Sequence, residues 1–186
     1  MNKNRKQYWE QFFPHANHPN LGTIASIYLN KDKTLIKRQY VNGALTCSGN
    51  FVNKKDLFLY RRWKCEVTYM EMFQGMRWVP KLVSYNETDR SIVMEYYGPD
   101  LLQQSYENMD IEEQIIEVYK HFKDVGVYKY NGAKANMSRN GNQLIVFDFK
   151  WMTKRRKRFQ QCAKYEIDNW LSKINPDLVP VLKEMI

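Results

Sequence analysis

Paired cysteines, export signals and long apolar runs are all missing from this chain. Its three cysteines, Cys47, Cys65 and Cys162, are odd in number and scattered. Without a C-x-x-C pair they exclude a zinc ribbon or a redox disulfide, and they read as small core residues. No apolar stretch approaches the roughly 18 to 20 residues that a membrane span needs. The start MNKNRKQYWEQFF has no apolar core of an export signal, so the expected location is the cytoplasm. In that setting the glycosylation-like triplets Asn86-Glu87-Thr88 and Asn136-Met137-Ser138 carry no meaning. Repeats and low-complexity tracts are absent too.

What is present is a chain of 186 residues, 44% apolar and 15% aromatic. That is enough for one domain with a real core, divisible into two lobes. Lysine and arginine outnumber aspartate and glutamate by 29 to 20, and the excess is uneven. Lys150, Lys154, Arg155, Arg156, Lys157 and Arg158 crowd one segment. Such a block suits an anionic ligand or protein partner, lipid or nucleic acid, or is a solvated helix face.

The periodicities alternate along the chain. LGTIASIYL and KTLIKRQYV read as strands joined at Asn30-Lys31-Asp32. From Leu57 to Phe73 the period turns helical, with Leu59, Trp63, Val67, Met70 and Phe73 on one face. PKLVSY and SIVMEYY follow as two strands, ended by Gly98-Pro99. A helix is expected over 110–124, with Asp110 as N-cap and Ile111, Ile115, Val118, Tyr119 and Phe122 inward. Asn140-Gly141 then marks a hairpin, and helices near YEIDNWLSKI and after Pro176 or Pro180 close the chain. This order gives an α+β fold, a small antiparallel sheet with one helix followed by a helical part.

Two features carry chemistry. Glu66 points toward the apolar face of its helix, where a carboxylate needs a cationic partner. Asn136 and Asp148 meet at the open end of the hairpin, an amide and a carboxylate of the kind that Mg²⁺ takes beside water and phosphate. His15 and His18 form an H-x-x-H, but flanking prolines deny them the helix that would aim both rings at one metal. His121 reads as packing, and Trp63, Trp78, Trp151 and Trp170 as core or interface aromatics.

Taken together, Lys37 in TLIK, Glu66 on the next helix, the IVMEYYG linker, Asn136, and Asp148 in FDF follow the order of the protein kinase signatures. The chain resembles a compact protein-kinase-like domain over about residues 21–172. The resemblance implies a bilobal fold with an N-lobe over 1–97 and a shortened C-lobe over 98–186. It implies that Lys37 contacts nucleotide phosphates while Glu66 holds it, and that Asn136 and Asp148 coordinate Mg²⁺ or Mn²⁺. It further implies that ATP lies against Gly22, Ile27, Met94, Glu95 and Tyr96, that Lys134 is the catalytic-loop cation, and that Asp168 in DNW braces that loop.

The departures are as informative. Five residues before Asn136, where the family pattern has its catalytic aspartate, stands Asn131. General-base help is worth about 10² to 10⁴ in rate, and an amide cannot supply it. Where the family has three glycines over the phosphates, LGTIASIY offers only Gly22. D-F-G reads Asp148-Phe149-Lys150, which puts a cation beside the expected metal site. Between Asp148 and Asp168 there is no room for a peptide-docking segment, as in the RIO-type and lipopolysaccharide-kinase-like groups and small virus-encoded kinase-like proteins.

Three functions are compatible with this sequence. One is a nucleotide-binding pseudokinase. Another is an atypical enzyme that moves phosphate or AMP without a base at 131. The third is a nucleic-acid module reading phosphates through 150–158.

Overall fold

Among the described residues before 97, period-two alternation builds five strands and period-3.6 alternation one long helix. The computed structural model describes residues 8–14, 16–17, 24–132 and 134–186. In chain order these elements are β1 (Trp9–Gln11), β2 (Ser26–Asn30), β3 (Leu35–Gln39), α1 (Asp56–Phe73), β4 (Leu82–Asn86) and β5 (Ser91–Glu95). The sheet order is β1-β2-β3-β5-β4, antiparallel throughout. The chain divides into two compact units, residues 1–67 with 81–96, and 68–80 with 97–186. Segment 68–80 falls in the second unit.

In the first unit the side chains sort by register. Leu29 pairs with Ile36 and Ile27 with Arg38, so these four share one sheet face, while Tyr28 and Lys37 share the other. The β2–β3 turn is closed by Asn30, whose Oδ1 accepts from the Thr34 and Leu35 amides at 2.9 and 2.8 Å. Leu59, Trp63, Glu66 and Val67 of α1 are buried, and the Trp63 indole donates to the Ser91 carbonyl at 3.2 Å.

The second unit contains α2 (Ile111–Asp124), β6 (Val127–Lys129), β7 (Met137–Asn140), β8 (Gln143–Val146), β9 (Met152–Lys154), α3 (Lys157–Asn169) and α4 (Leu178–Lys183). Its core is an aromatic cluster in which Phe73 meets Trp78, His121, Phe122 and Phe149 at centroid distances of 5.3 to 5.7 Å. His121 is packing, as its place beside the apolar stripe of α2 suggests. β7 and β8 form the expected hairpin, with Gly141 at φ +59° in a two-residue loop.

Other local expectations are met in part. Asp110 occupies the expected N-cap position of α2, but its side chain makes no capping bond. The pair β6–β9 has no strong signal in the sequence, because each strand is only three residues long. α4 begins after Pro176, one of the two expected starts, and holds Pro180 in its first turn, where the missing N–H costs no hydrogen bond. Cys162 and Trp170 are exposed rather than core, since both lie off the Ala163–Ile167–Leu171 face.

Candidate functional site

In the first unit the buried carboxylate of α1 finds its cation on β3. Glu66 Oε1 accepts from Arg38 Nη1 at 2.7 Å, and the Tyr40 hydroxyl donates to Oε2. Glu66 has no exposure and Arg38 only 7%. Buried charge at this depth requires such pairing. The expected partner was Lys37, but that residue is on the opposite sheet face, its ammonium 5.2 Å from the Trp9 ring and 4.7 Å from Tyr28. Alternation decides this, since a one-residue difference in a strand moves a side chain to the other face.

In the second unit five polar side chains converge. β6 delivers Lys129, which is buried, and its ammonium donates to the Asp148 carbonyl at 2.9 Å and to Asn131 Oδ1. Asn131 in turn donates through Nδ2 to the carbonyl and to Oδ2 of Asp148, both at 3.0 Å. Asn136 donates to the Asn131 carbonyl at 2.7 Å, and the Phe147 amide donates to the Asn136 carbonyl at 3.1 Å. Lys150 completes the group by donating to Asp148 Oδ1. The hairpin thus brings Asn136 and Asp148 into one hydrogen-bonded group, linked through Asn131.

Asp148 has φ +66° and ψ +61°, the left-handed conformation. In a residue other than glycine such a backbone is uncommon and concentrates at functional positions. It turns the chain into the single helical turn 149–151, which returns Lys150 to the carboxylate and seats Phe149 in the aromatic core.

Glu166 on α3 supports the group from behind. Burial pushes its carboxyl up to about 7, against the opposing pull of Lys129 and a hydrogen bond from the Gly132 backbone. The expected brace, Asp168, instead pairs on the surface with Lys183 at 2.6 Å. Spacing explains the difference: Glu166 falls on the inward face with Ala163 and Ile167, while Asp168 does not.

Whether a divalent metal suits these residues can be judged from the donors. Mg²⁺ and Mn²⁺ take several hard oxygen ligands. Here Asp148 is the only carboxylate in the group with Asn131 and Asn136, its two oxygens accept from Lys150 and Asn131, and the Lys129 ammonium sits on its carbonyl. Among the described residues no three His, Cys, Asp or Glu side chains cluster as a metal site. Asp148 and Asn136 could offer a divalent ion one carboxylate and one amide oxygen, but the Asp148 oxygens are already engaged by Lys150 and Asn131.

Sequence comparison is silent: no family model matches the chain and no curated protein matches it in sequence. Solved structures do match. The Rio2 kinase from Chaetomium thermophilum superposes with a TM-score of 0.58 at 12% identity, over 89% of this chain and 61% of that one. The bifunctional kinase-methyltransferase WbdD superposes with a TM-score of 0.57 at 12% identity, over 96% of this chain and 46% of that one. The fold is protein-kinase-like. The chain spans less than two thirds of either of these neighbours.

Within this kinase-like fold the other expected residues separate. Ile27 and Met94 are buried in the first unit. The Glu95 and Tyr96 amides, expected near adenine, already donate to the Lys81 and Thr34 carbonyls at 3.0 and 2.9 Å, because the strand ladder continues through them. The Lys134 ammonium bonds the Tyr106 hydroxyl and stands 4.6 Å from that ring, so it is held by an aromatic neighbour. Gly22, His15 and His18 lie outside the described residues.

The basic segment is not uniform either. Lys150 is buried, and Arg155 donates to the Met185 and Ile186 carbonyls, leaving Lys154, Arg156, Lys157 and Arg158 as its exposed cations. Arg38, Lys129 and Glu166 are the residues that motif matching misses. Counting alternation back from the buried Tyr40 finds Arg38, and the helical period finds Glu166, but nothing in the sequence marks Lys129. Among the described residues no helix is long and apolar enough to cross a membrane.

Proposed function

We propose that this chain is a nucleotide-binding kinase-like protein whose phosphotransfer is weak or lost, a pseudokinase that acts through the surface it presents to a protein partner. One observation carries the reading. Asn131, at the position of the family's general base, has its amide nitrogen on Asp148 and its amide oxygen on Lys129. An amide has no proton-accepting site at neutral pH, and this one is held in place by both neighbours. Positioning and electrostatics remain, and these supply most of phosphoryl transfer, so nucleotide binding is the function that survives. In this reading ATP meets Ile27 and Met94, and Arg38, fixed by Glu66, replaces Lys37 as the strand cation.

The test has two parts. ATP is expected to raise the melting temperature, since ligand at 100 times its Kd adds about 2.7 kcal/mol. ATP labelled at the γ or the α phosphate is expected to label neither the protein nor added acceptor proteins. Asn131→Asp returns a base to the position and should raise γ transfer, on the order of 10²-fold. Labelling by the unaltered protein that Asp148→Asn abolishes would establish an active phosphate- or AMP-transferring enzyme instead.

A further inference from the structure

Kinase-like folds hold nucleotide phosphates through divalent cations bound to oxygen ligands. In this chain the seat for such a cation is taken by a side chain. Lys150 follows Asp148 by two residues, and the helical turn between them lays its ammonium on Asp148 Oδ1. Both side chains are nearly enclosed, at 10% and 8% exposure, so the ammonium is not a solvated surface charge that an ion from solution readily displaces. Oδ2 is occupied by the Asn131 amide at 3.0 Å, and the Lys129 ammonium is 2.9 Å from the Asp148 carbonyl, with Glu166 facing Lys129 from α3. A doubly charged ion at Asp148 would have to displace the Lys150 ammonium and then stand near that of Lys129. Electrostatics opposes it.

We infer that Lys150 is a covalently tethered replacement for the divalent cation, so that the second unit meets the phosphates of a nucleotide without a metal ion. The inference rests on the nucleotide-binding reading above for its ligand and on the motif resemblance for Asp148 as the cation seat, while the contact of Lys150 with Asp148 rests on the geometry. A tethered ammonium carries one charge rather than two and donates hydrogen bonds, so it neutralises phosphate oxygens without coordinating them as a metal ion does. Free ATP, more negative than its magnesium complex, is the form that such a site prefers.

The deciding measurement needs no nucleotide. Mn²⁺ is titrated into the full chain and followed by electron paramagnetic resonance, where the free ion keeps its six-line signal. The unaltered protein and Asp148→Asn are expected to leave that signal alike up to millimolar Mn²⁺. Lys150→Asp, which exchanges the ammonium for a second carboxylate beside Asp148, is expected to bind Mn²⁺ at least tenfold more tightly. Mn²⁺ binding by the unaltered protein that Asp148→Asn removes would overturn the inference, as would a folded Lys150→Asp, verified by circular dichroism, that binds no better. If Lys150→Asp fails to fold, the comparison of the unaltered protein with Asp148→Asn decides alone. A second arm measures the melting temperature with ATP in EDTA and with ATP and Mg²⁺. A rise with ATP in EDTA larger than that with ATP and Mg²⁺ is expected, and a rise that requires Mg²⁺ would overturn the inference. No rise in either would count against nucleotide binding, while the Mn²⁺ result would still decide what occupies Asp148.

Discussion

Glu66 is paired with Arg38 at 2.7 Å, while Lys37, the neighbouring cation on the same strand, lies over the rings of Trp9 and Tyr28. Removing one partner of a buried pair leaves an uncompensated charge, which costs about 3–5 kcal/mol. Arg38→Met is therefore expected to lower unfolding free energy by about that amount, and Lys37→Ala by about 1 kcal/mol or less. Arg38→Met combined with Glu66→Gln, which keeps an acceptor for Tyr40, should recover at least half of the loss. Urea titration of the four proteins measures all three values.

Asn131→Asp restores a base and exacts a cost in stability. The donor that now meets Asp148 Oδ2 at 3.0 Å becomes a second carboxylate. Loss of that bond and like-charge repulsion together should destabilise by about 1–3 kcal/mol at neutral pH. The penalty should shrink as pH falls and one carboxyl of the pair takes a proton. Chemical denaturation at pH 5 and pH 7 checks this, and an equal penalty at both would refute the repulsion.

Glu166 makes stability fall as pH rises. Its carboxyl titrates near 4.5 when unfolded and near 7 in the fold, raised by burial against the pull of Lys129 and the Gly132 amide. Between those values the folded chain holds a proton that the unfolded chain has released. Its contribution is therefore complete below about pH 4.5 and lost through about pH 7. Solvent screening of this half-buried group reduces the effect to on the order of 1 kcal/mol. Glu166→Gln should flatten the melting temperature across that window.

Gly132 and Tyr119 are coupled through space. A Cβ at Gly132 would stand 2.9 Å from the Tyr119 hydroxyl, which is buried and has no hydrogen-bond partner among the described residues. Gly132→Ala should cost about 1–3 kcal/mol by overpacking. Tyr119→Phe should be neutral or stabilising by up to about 1 kcal/mol, because it removes an unsatisfied buried oxygen. The double variant should recover most of the loss, with a coupling energy of about 1 kcal/mol or more by double-mutant cycle.

Local physics is legible in the residues themselves. The helical periods mark α1 and α2 within one residue of their observed starts, Asn140-Gly141 marks the β7–β8 hairpin, and that hairpin brings Asn136 and Asp148 into one group. The place of Asn131, five residues before Asn136, is likewise visible without coordinates. Tertiary structure alone decided which charges meet. Arg38 rather than Lys37 takes Glu66 because β3 is packed by alternation against α1 within its unit. Lys150 reaches Asp148 because a left-handed residue folds the next turn back on itself. Lys129 enters through a three-residue strand whose partner comes later in the chain, too short a pattern to read beforehand. Periodicity assigns a side chain to a face, but the partner of a buried charge depends on residues distant in sequence, and the cost of leaving it unpaired selects among them.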